Sequence, residues 1–272
     1  MERVQPGVPA GRDRRILARR RRELIAEHVL RHGSARVSDL TEALGVSDMT
    51  IRRDLEALDQ AGVLDKVHGG ATLPADSAPT SVEPGFVVKS TTQVDEKEAI
   101  AKAAAALIRP GTAIGLTAGT TTWHLAGALD DIDDLMVVTN SMRICDRLLA
   151  TERTDLTVLL IGGIRTPSDA LVGPLAIRSL ETLHLDQVFM GVHGMSEGAG
   201  YTTPNLLEAE TNKAFVASAA QLVVVADHTK WNTIGLAGIA PLDAATAVVT
   251  DLGLPGDAGD TLRAHVPNVV VA

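Results

Sequence analysis

Aromatic residues are scarce: the 272-residue chain holds three Phe, two Trp and one Tyr. Its cores must be built from Ala, Val, Leu and Ile, which a hydrophobic content of 45% supplies. A single cysteine, Cys145, excludes an internal disulfide framework, and no Cys/His cluster has the spacing of a zinc site. Cys145 sits in an apolar helical pattern and reads as a small buried hydrophobe. No stretch reaches the ~18 apolar residues of a membrane span, and the N-terminus lacks the apolar core of a secretory signal. The phosphate loop Gly-x-x-x-x-Gly-Lys-Ser/Thr is absent, which argues against a nucleoside triphosphate. These absences describe a cytosolic protein with no metal and no resident cofactor. The length predicts two domains.

Positive charge is in deficit overall, with 25 Lys/Arg against 34 Asp/Glu and a net charge of −9. The deficit is not uniform. Residues 1–73 carry 13 basic and 11 acidic side chains, whereas residues 74–272 carry 12 and 23. Within residues 1–36 the count is 10 against 4, concentrated in Arg19-Arg20-Arg21-Arg22. Such a run suits nonspecific contact with phosphate, and it places base where a nucleic acid would lie.

What is present organises around residues 45–71. Gly45-Val46-Ser47 forms a tight turn, and Ser47 is placed to cap the helix that follows. At 100° per residue, Ile51, Leu55 and Leu58 share one face of a helix over 48–62. Met49 and Arg53 point the opposite way, flanked by Thr50 and Arg52. One face suits a small core; the other offers guanidiniums and a hydroxyl to base edges and phosphates. Upstream, Val37, Leu40 and Leu44 sit at helical spacing, so the pair reads as a helix-turn-helix. Residues 63–67 and 71–73 are strand-like and joined by His68-Gly69-Gly70, a hairpin that would carry Lys66 and His68 at the tip of a wing.

Thr50-Ile51-Arg52-Arg53-Asp54-Leu55 alone is short enough to arise by chance; the wing behind it makes the pattern specific. Val46 to Leu55 followed by Lys66-Val67-His68-Gly69-Gly70-Ala71 closely resembles the DNA-binding signature of the DeoR family of bacterial transcriptional regulators. The resemblance implies a DNA-contacting set of Ser47, Met49, Thr50, Arg52, Arg53, Lys66, His68 and Gly69. Lys66 departs from the family's usual arginine, which keeps a phosphate contact and gives up a bidentate one.

In chain order, residues 1–11 read as a disordered tail and 14–31 as a first helix. The winged helix-turn-helix unit spans 14–73, with a linker at 74–94 whose 74–84 portion is rich in Pro and Ser. From Asp95 onward helices alternate with short apolar strands. Strands are predicted at 112–116, 135–139, 156–161, 187–190, 222–226 and 247–250. Helices are predicted at 95–108, 122–129, 141–149, 176–183 and 207–219. That alternation predicts an α/β, doubly wound, mostly parallel sheet over 95–272, behind an N-terminal all-α winged helix-turn-helix with a β-wing.

In such sheets ligands bind beyond the carboxyl ends of the strands. After the first strand comes Thr117-Ala118-Gly119-Thr120-Thr121-Thr122, a helix start with hydroxyls suited to a phosphate dianion. Later strands are followed by Asn140-Ser141, by Gly162-Gly163, by Gly191, and by Asp227-His228-Thr229-Lys230. Asn and Asp bind sugar hydroxyls, while Lys97 and Lys230 can add positive charge near a phosphate.

These segments also resemble the DeoR sensor half: Lys97 with Ile100-Ala101, Gly119-Thr120-Thr121, Val138-Thr139-Asn140-Ser141, Gly162-Gly163, and Ala226-Asp227 with Lys230. With the winged unit, the resemblance covers residues 14–251. It implies a regulator, usually a repressor of carbohydrate metabolism genes, with a sugar-phosphate isomerase-like sensor. The expected effector is a phosphorylated sugar or polyol held by Lys97, Gly119, Thr120, Thr121, Thr122, Asn140, Gly162, Gly163, Asp186, Asp227 and Lys230. The implied partner is operator DNA, bound by a homo-oligomer; release by the effector is the family habit, while the residues themselves leave open whether the effector releases or promotes binding.

A sugar-phosphate isomerase fused to a DNA-binding unit is the rival reading. In ribose-5-phosphate isomerases, the strand position matched by Asp186 is followed three residues on by a second acid, where this chain has Phe189. The acid that precedes the lysine matched by Lys213 is here Asn212. Glu208 and Glu210 are near, and helical spacing is read as turning both away from residue 212. Binding without turnover is the expectation. Gly194-Met195-Ser196-Glu197-Gly198 matches a hydrolase nucleophile elbow, but the glycines that follow continue a loop rather than open a helix.

Overall fold

The computed structural model describes residues 18–32, 34–61, 63–72 and 86–272. The expected tail over 1–11, the first residues of the first helix and the 74–84 linker lie outside them.

The N-terminal unit runs α1 (Ala18–His32), β1 (Ser34–Arg36), α2 (Val37–Leu44), α3 (Asp48–Gln60), β2 (Asp65–Val67) and β3 (Gly70–Thr72). α2 stops because Gly45 adopts φ 63° and returns its N–H to the Thr41 carbonyl, a left-handed cap that favours glycine. α3 starts two residues later, where the Ser47 side chain accepts from the Thr50 amide. Ile51, Leu55 and Leu58 then bury against Ile25, Val29, Val37, Leu40 and Leu64. The hairpin forms as expected, and a strand that periodicity does not reveal, β1, completes a sheet in the order β1-β3-β2. Three residues are too few to show alternation.

The C-terminal unit continues with α4 (Phe86–Lys89), α5 (Val94–Ala105), β4 (Ala113–Leu116), α6 (Thr120–Ala126), β5 (Met136–Thr139), α7 (Met142–Leu149) and β6 (Thr157–Leu160). Next come β7 (Ile164–Arg165), β8 (Leu171–Val172), α8 (Pro174–Leu180), β9 (Leu185–Gly191), β10 (Gly194–Ser196), β11 (Gly200–Thr203) and α9 (Leu206–Ser218). β12 (Ala219–Val225), β13 (Ala237–Ala240), β14 (Ala247–Thr250), α10 (Gly256–His265) and β15 (Asn268–Val271) close the chain. Seven strands form one sheet in the order β15-β14-β12-β9-β4-β5-β6, and every neighbouring pair is parallel.

Helices cover both faces. Ile100, Ala104, Leu125 and Ile144 fill one layer, and Leu180, Ala209, Phe215 and Leu262 fill the other. The chain winds outward from β4 through β5 and β6, then returns to place β9 on β4's other side. The winding direction therefore reverses between β4 and β9. A crevice opens there at the strands' carboxyl ends.

Beyond the expected pattern, β10, β11 and β13 form a small antiparallel sheet, and β7 pairs with β8. Ser196 lies in β10 and accepts from the Ala199 amide at 3.2 Å, and the strand turns into β11 instead of a helix. It is a turn-forming serine, not a nucleophile elbow. Among the described residues no helix is long and apolar enough to cross a membrane.

The wing turn depends on a close approach. A Cβ on Gly70 would stand 2.3 Å from the Ala35 carbonyl oxygen, which is backbone and cannot swing aside. Gly70→Ala should therefore lower the stability of the N-terminal unit by about 1–3 kcal/mol, as overpacking does. Urea unfolding followed by circular dichroism measures it, and an unchanged midpoint would contradict the β1–β3 contact.

Candidate functional site

Two surfaces gather the residues singled out above. On α3, Met49 is 72% exposed and Arg52 and Arg53 stand beside it in solvent. The Arg52 Nε donates to Asp48 Oδ2 at 3.0 Å, an exposed pair one turn apart. Such a pair contributes little to folding and is readily exchanged for another anion. Ser47 and Thr50 share a hydroxyl–hydroxyl bond of 2.8 Å at the helix start. On the wing, Lys66 Nζ lies 3.8 Å from Glu56 Oε2, and its amide donates to Asp59 Oδ1 at 2.7 Å. His68 and Gly69 form the exposed tip, and the Gly69 carbonyl accepts the first amide of α2, that of Val37, at 2.9 Å. These bonds tie the wing strand to α3 and the wing tip to the start of α2.

The arginine run is not uniformly free for phosphate. Arg21 Nε donates to Asp54 Oδ2 at 2.5 Å, with the two side chains only 11% and 6% exposed, and Arg22 Nε lies 3.6 Å from the same carboxylate. Arg21 therefore ties α1 to the inner face of α3.

The second surface is the crevice at the β4/β9 reversal. Gly119, Thr120 and Thr121 from the β4–α6 turn line it, with Gly191 at the end of β9, His193 just beyond it, and Ala226 and Lys230 after β12. The first bond inside α6 runs from the Trp123 amide to Gly119, so the amides of Thr120, Thr121 and Thr122 precede the helical ladder.

Lys97, delivered by α5 and only 3% exposed, donates from Nζ to the Lys89 carbonyl at 3.1 Å and to the Thr92 carbonyl. Its Nζ lies 3.9 Å from Asp227 Oδ2, and Lys230 Nζ lies 4.0 Å from the same oxygen. Burial lowers the Lys97 ammonium to a pKa of about 8, against the opposing pull of Asp227. Burial also lowers that of Lys230. For Asp227 burial works against ionisation, yet Lys230, the Thr229 bonds and Lys97 together hold it below the usual carboxylate range. Its Oδ1 accepts from the Thr229 amide and hydroxyl, while its Oδ2 has no hydrogen-bond partner.

Several expected ligands serve the frame instead. The Thr122 hydroxyl donates to the Thr117 carbonyl at 2.7 Å. Asn140 accepts from the Ala118 amide at 2.8 Å and donates to the Leu171 carbonyl at 3.2 Å, so it clamps the β4–α6 turn from behind. Gly163 packs on β8, where a Cβ would meet the Val172 carbonyl at 2.6 Å, and Gly162 is exposed away from the crevice lining. Asp186 sits at the amino end of β9 and accepts from the Ala113 amide at 2.9 Å, at the opposite end of the sheet.

Other lining residues escaped the sequence reading. Lys89 and Thr92 lie in a stretch assigned to the linker. Glu208 and Asn212 both line the crevice, which corrects the expectation that helical spacing turns Glu208 away from 212. They are one turn apart, and four residues bring a helix back to within 40° of the same face. Glu208 Oε1 accepts from Ser168 at 2.5 Å and from Thr166 at 3.1 Å, and Oε2 from Thr203 at 3.3 Å. Glu210 is exposed and pairs with Lys213 at 2.8 Å.

A model of the DeoR C terminal sensor domain matches residues 92–252, and one of the DeoR-like helix-turn-helix domain matches residues 21–77. The chain belongs to the DeoR family. A putative aga operon transcriptional repressor of Escherichia coli O157:H7 is 36% identical to this DeoR protein, over 89% of this chain and 90% of that one. The lactose phosphotransferase system repressor of Staphylococcus aureus is 35% identical over 84% of this chain and 89% of that one. Among solved structures, ribose 5-phosphate isomerase A of Methanocaldococcus jannaschii is 17% identical, with a TM-score of 0.38. That likeness takes in 52% of this chain and 56% of the isomerase, and it is too loose to bear on activity.

The Arg21–Asp54 contact gives this DeoR head a testable seam. Asp54→Ala removes the carboxylate that pairs with a nearly buried guanidinium and should cost about 3–5 kcal/mol of head stability. Chemical denaturation checks it; a loss within about 0.5 kcal/mol would put Arg21 among the solvated arginines.

Proposed function

We propose that this DeoR-family regulator is a non-enzymatic repressor whose winged head reads operator DNA and whose body binds a phosphorylated sugar or polyol. The observation that carries the effector reading is the meeting of Lys89, Lys97 and Lys230 around the β4–α6 turn at the strand reversal. Ammonium groups beside amides that precede the α6 ladder suit a phosphate monoester. Across the crevice, Ser168, Glu208 and Asn212 offer oxygens and an amide to hydroxyl groups. Of the residues named from the sequence, Lys97, Gly119, Thr120, Thr121 and Lys230 line the crevice and take the effector in this reading, while the buried Asp227 sets the charge around the two lysines. Thr122 and Asn140 hold the turn that presents them.

The head acts as part of a homo-oligomer, because one winged unit covers little DNA and a symmetric assembly reads paired half-sites. A coupling of roughly 1–3 kcal/mol between effector and operator gives a ~5- to 150-fold change in affinity, enough for a switch.

Glu208 in the crevice favours one other reading, sugar-phosphate isomerisation, which needs a carboxylate free to move a proton between carbons. Both oxygens of Glu208 already accept hydroxyl hydrogen bonds, and Asp227 is held ionised between two lysines. Neither is poised as a base. Incubation with aldose and ketose phosphates, followed by NMR, should show no interconversion; turnover abolished by Glu208→Gln would establish the isomerase.

For DNA, Arg53→Ala should weaken operator binding by about 1–3 kcal/mol while leaving the fold intact, since the side chain is exposed on α3. A fluorescence-anisotropy titration against operator and scrambled duplexes reads the effect. Equal affinity of mutant and parent for the operator would remove α3 as the reading helix. For the effector, Thr121→Val should abolish phosphosugar binding by calorimetry and spare DNA binding; retained sugar affinity would contradict the site.

A further inference from the structure

Two walls of the effector crevice come from segments that also face the head. The first is the short segment around α4. Phe86, 9% exposed, lines the crevice and also lines a separate groove bounded by Ser34, Arg36 and Asp39 of the head. α4 packs on β3 of the wing sheet. Lys97 holds the same segment through the Lys89 and Thr92 carbonyls. The second wall is the turn between β7 and β8, where Ser168 bonds Glu208 inside the crevice and Asp169, the next residue, points into the groove.

Both walls end on one side chain. Arg143, in the first turn of α7, places its guanidinium carbon 5.4 Å from the centre of the Phe86 ring. Its Nε donates to Asp169 Oδ2 at 2.7 Å. Arg165 holds the other oxygen of Asp169 at 2.5–2.7 Å, so the carboxylate stays paired without Arg143. Arg143 lines the groove but not the crevice, and its side chain is 45% exposed.

We propose that Arg143 is a coupling residue that carries the state of the effector crevice to the DNA-binding head, through Phe86 on one side and Asp169 on the other. This rests on the effector reading given above. A phosphate competing for the Lys97 ammonium draws it from the Lys89 and Thr92 carbonyls, because charge-assisted bonds outweigh neutral ones. Sugar hydroxyls competing for Glu208 release Ser168. Each event shifts a group that Arg143 touches, and the groove facing β1 and α2 changes with it. The Arg143 side chain is half in solvent, and the buried Asp169 carboxylate keeps its Arg165 bonds without it, so the residue's worth lies in transmission rather than in holding the fold.

The test uses the full-length chain, its Arg143→Gln and Arg143→Lys variants, and the DNA upstream of its own coding sequence. Galactose 6-phosphate, ribose 5-phosphate and inorganic phosphate serve as probes, with binding read by calorimetry and DNA affinity by anisotropy with and without probe. The parent should bind a sugar phosphate and change its DNA affinity ~5- to 150-fold. Arg143→Gln should bind the same probe and the same bare DNA to within about twofold, as surface substitutions do, yet lose the probe's effect on DNA. Arg143→Lys, which keeps a donor to Asp169 but not the planar stack on Phe86, should respond in part. A full response in Arg143→Gln would overturn the proposal, and so would loss of its probe binding, which would place Arg143 in the binding site itself. Failure of every probe to bind the parent would instead defeat the effector reading, and this proposal with it.

Discussion

The body is arranged around one incompletely compensated charge, the ammonium of Lys97. α5 carries it to the carboxyl ends of β4 and β12, where burial disfavours its ionised form and pulls its pKa to about 8. Two backbone carbonyls accept hydrogen bonds from it, and the Asp227 carboxylate oxygen Oδ2 stands 3.9 Å away without a hydrogen bond of its own. A buried charge left partly satisfied is costly in a low-dielectric interior. On the proposed reading, an anion arriving beside Lys97 and Lys230 would relieve that cost.

The rest of the architecture keeps those groups in place. The winding reversal between β4 and β9 opens the crevice, and the clamp from Asn140 to the Ala118 amide fixes the turn that presents Thr120 and Thr121. Aliphatic layers on both faces of the sheet support this frame with few aromatic rings, and two of those rings, Phe86 and Trp123, meet edge to face beside the crevice at 6.0 Å. Charge is divided to match. The acidic excess lies in the part of the chain that would repel DNA, and the exposed arginines of α3 lie in the part that would approach it.

Much of this was legible in the residues. Ile51, Leu55 and Leu58 announced the inner face of α3, and the apolar runs announced six of the seven strands of the parallel sheet, because buried strands and amphipathic helices leave periodic marks. The rule that ligands gather after strand ends pointed to Gly119, Thr120, Thr121 and Lys230, which line the crevice, and to Asp227, which is buried behind it beside the two lysines. It also drew in Asn140, whose side chain braces the β4–α6 turn by hydrogen bonds, and Gly163, which packs closely on β8. Asp186 was misplaced because a motif match does not say at which end of a strand a residue falls.

What sequence did not reveal depends on distant contacts. The β10, β11 and β13 strands are short and rich in Gly, Ala and Thr, with no alternation to read. Lys89 and Thr92 offer only backbone carbonyls to Lys97, and a carbonyl carries no residue signature. The cleanest test of the Lys97 account is calorimetry of phosphosugar binding at pH 8 in two buffers of different ionisation enthalpy. A dianion beside Lys97 favours its charged form and raises its pKa, so a group about half neutral at pH 8 should take up about half a proton on binding. Binding with no proton uptake at that pH would contradict the claim that the effector completes the charge of Lys97.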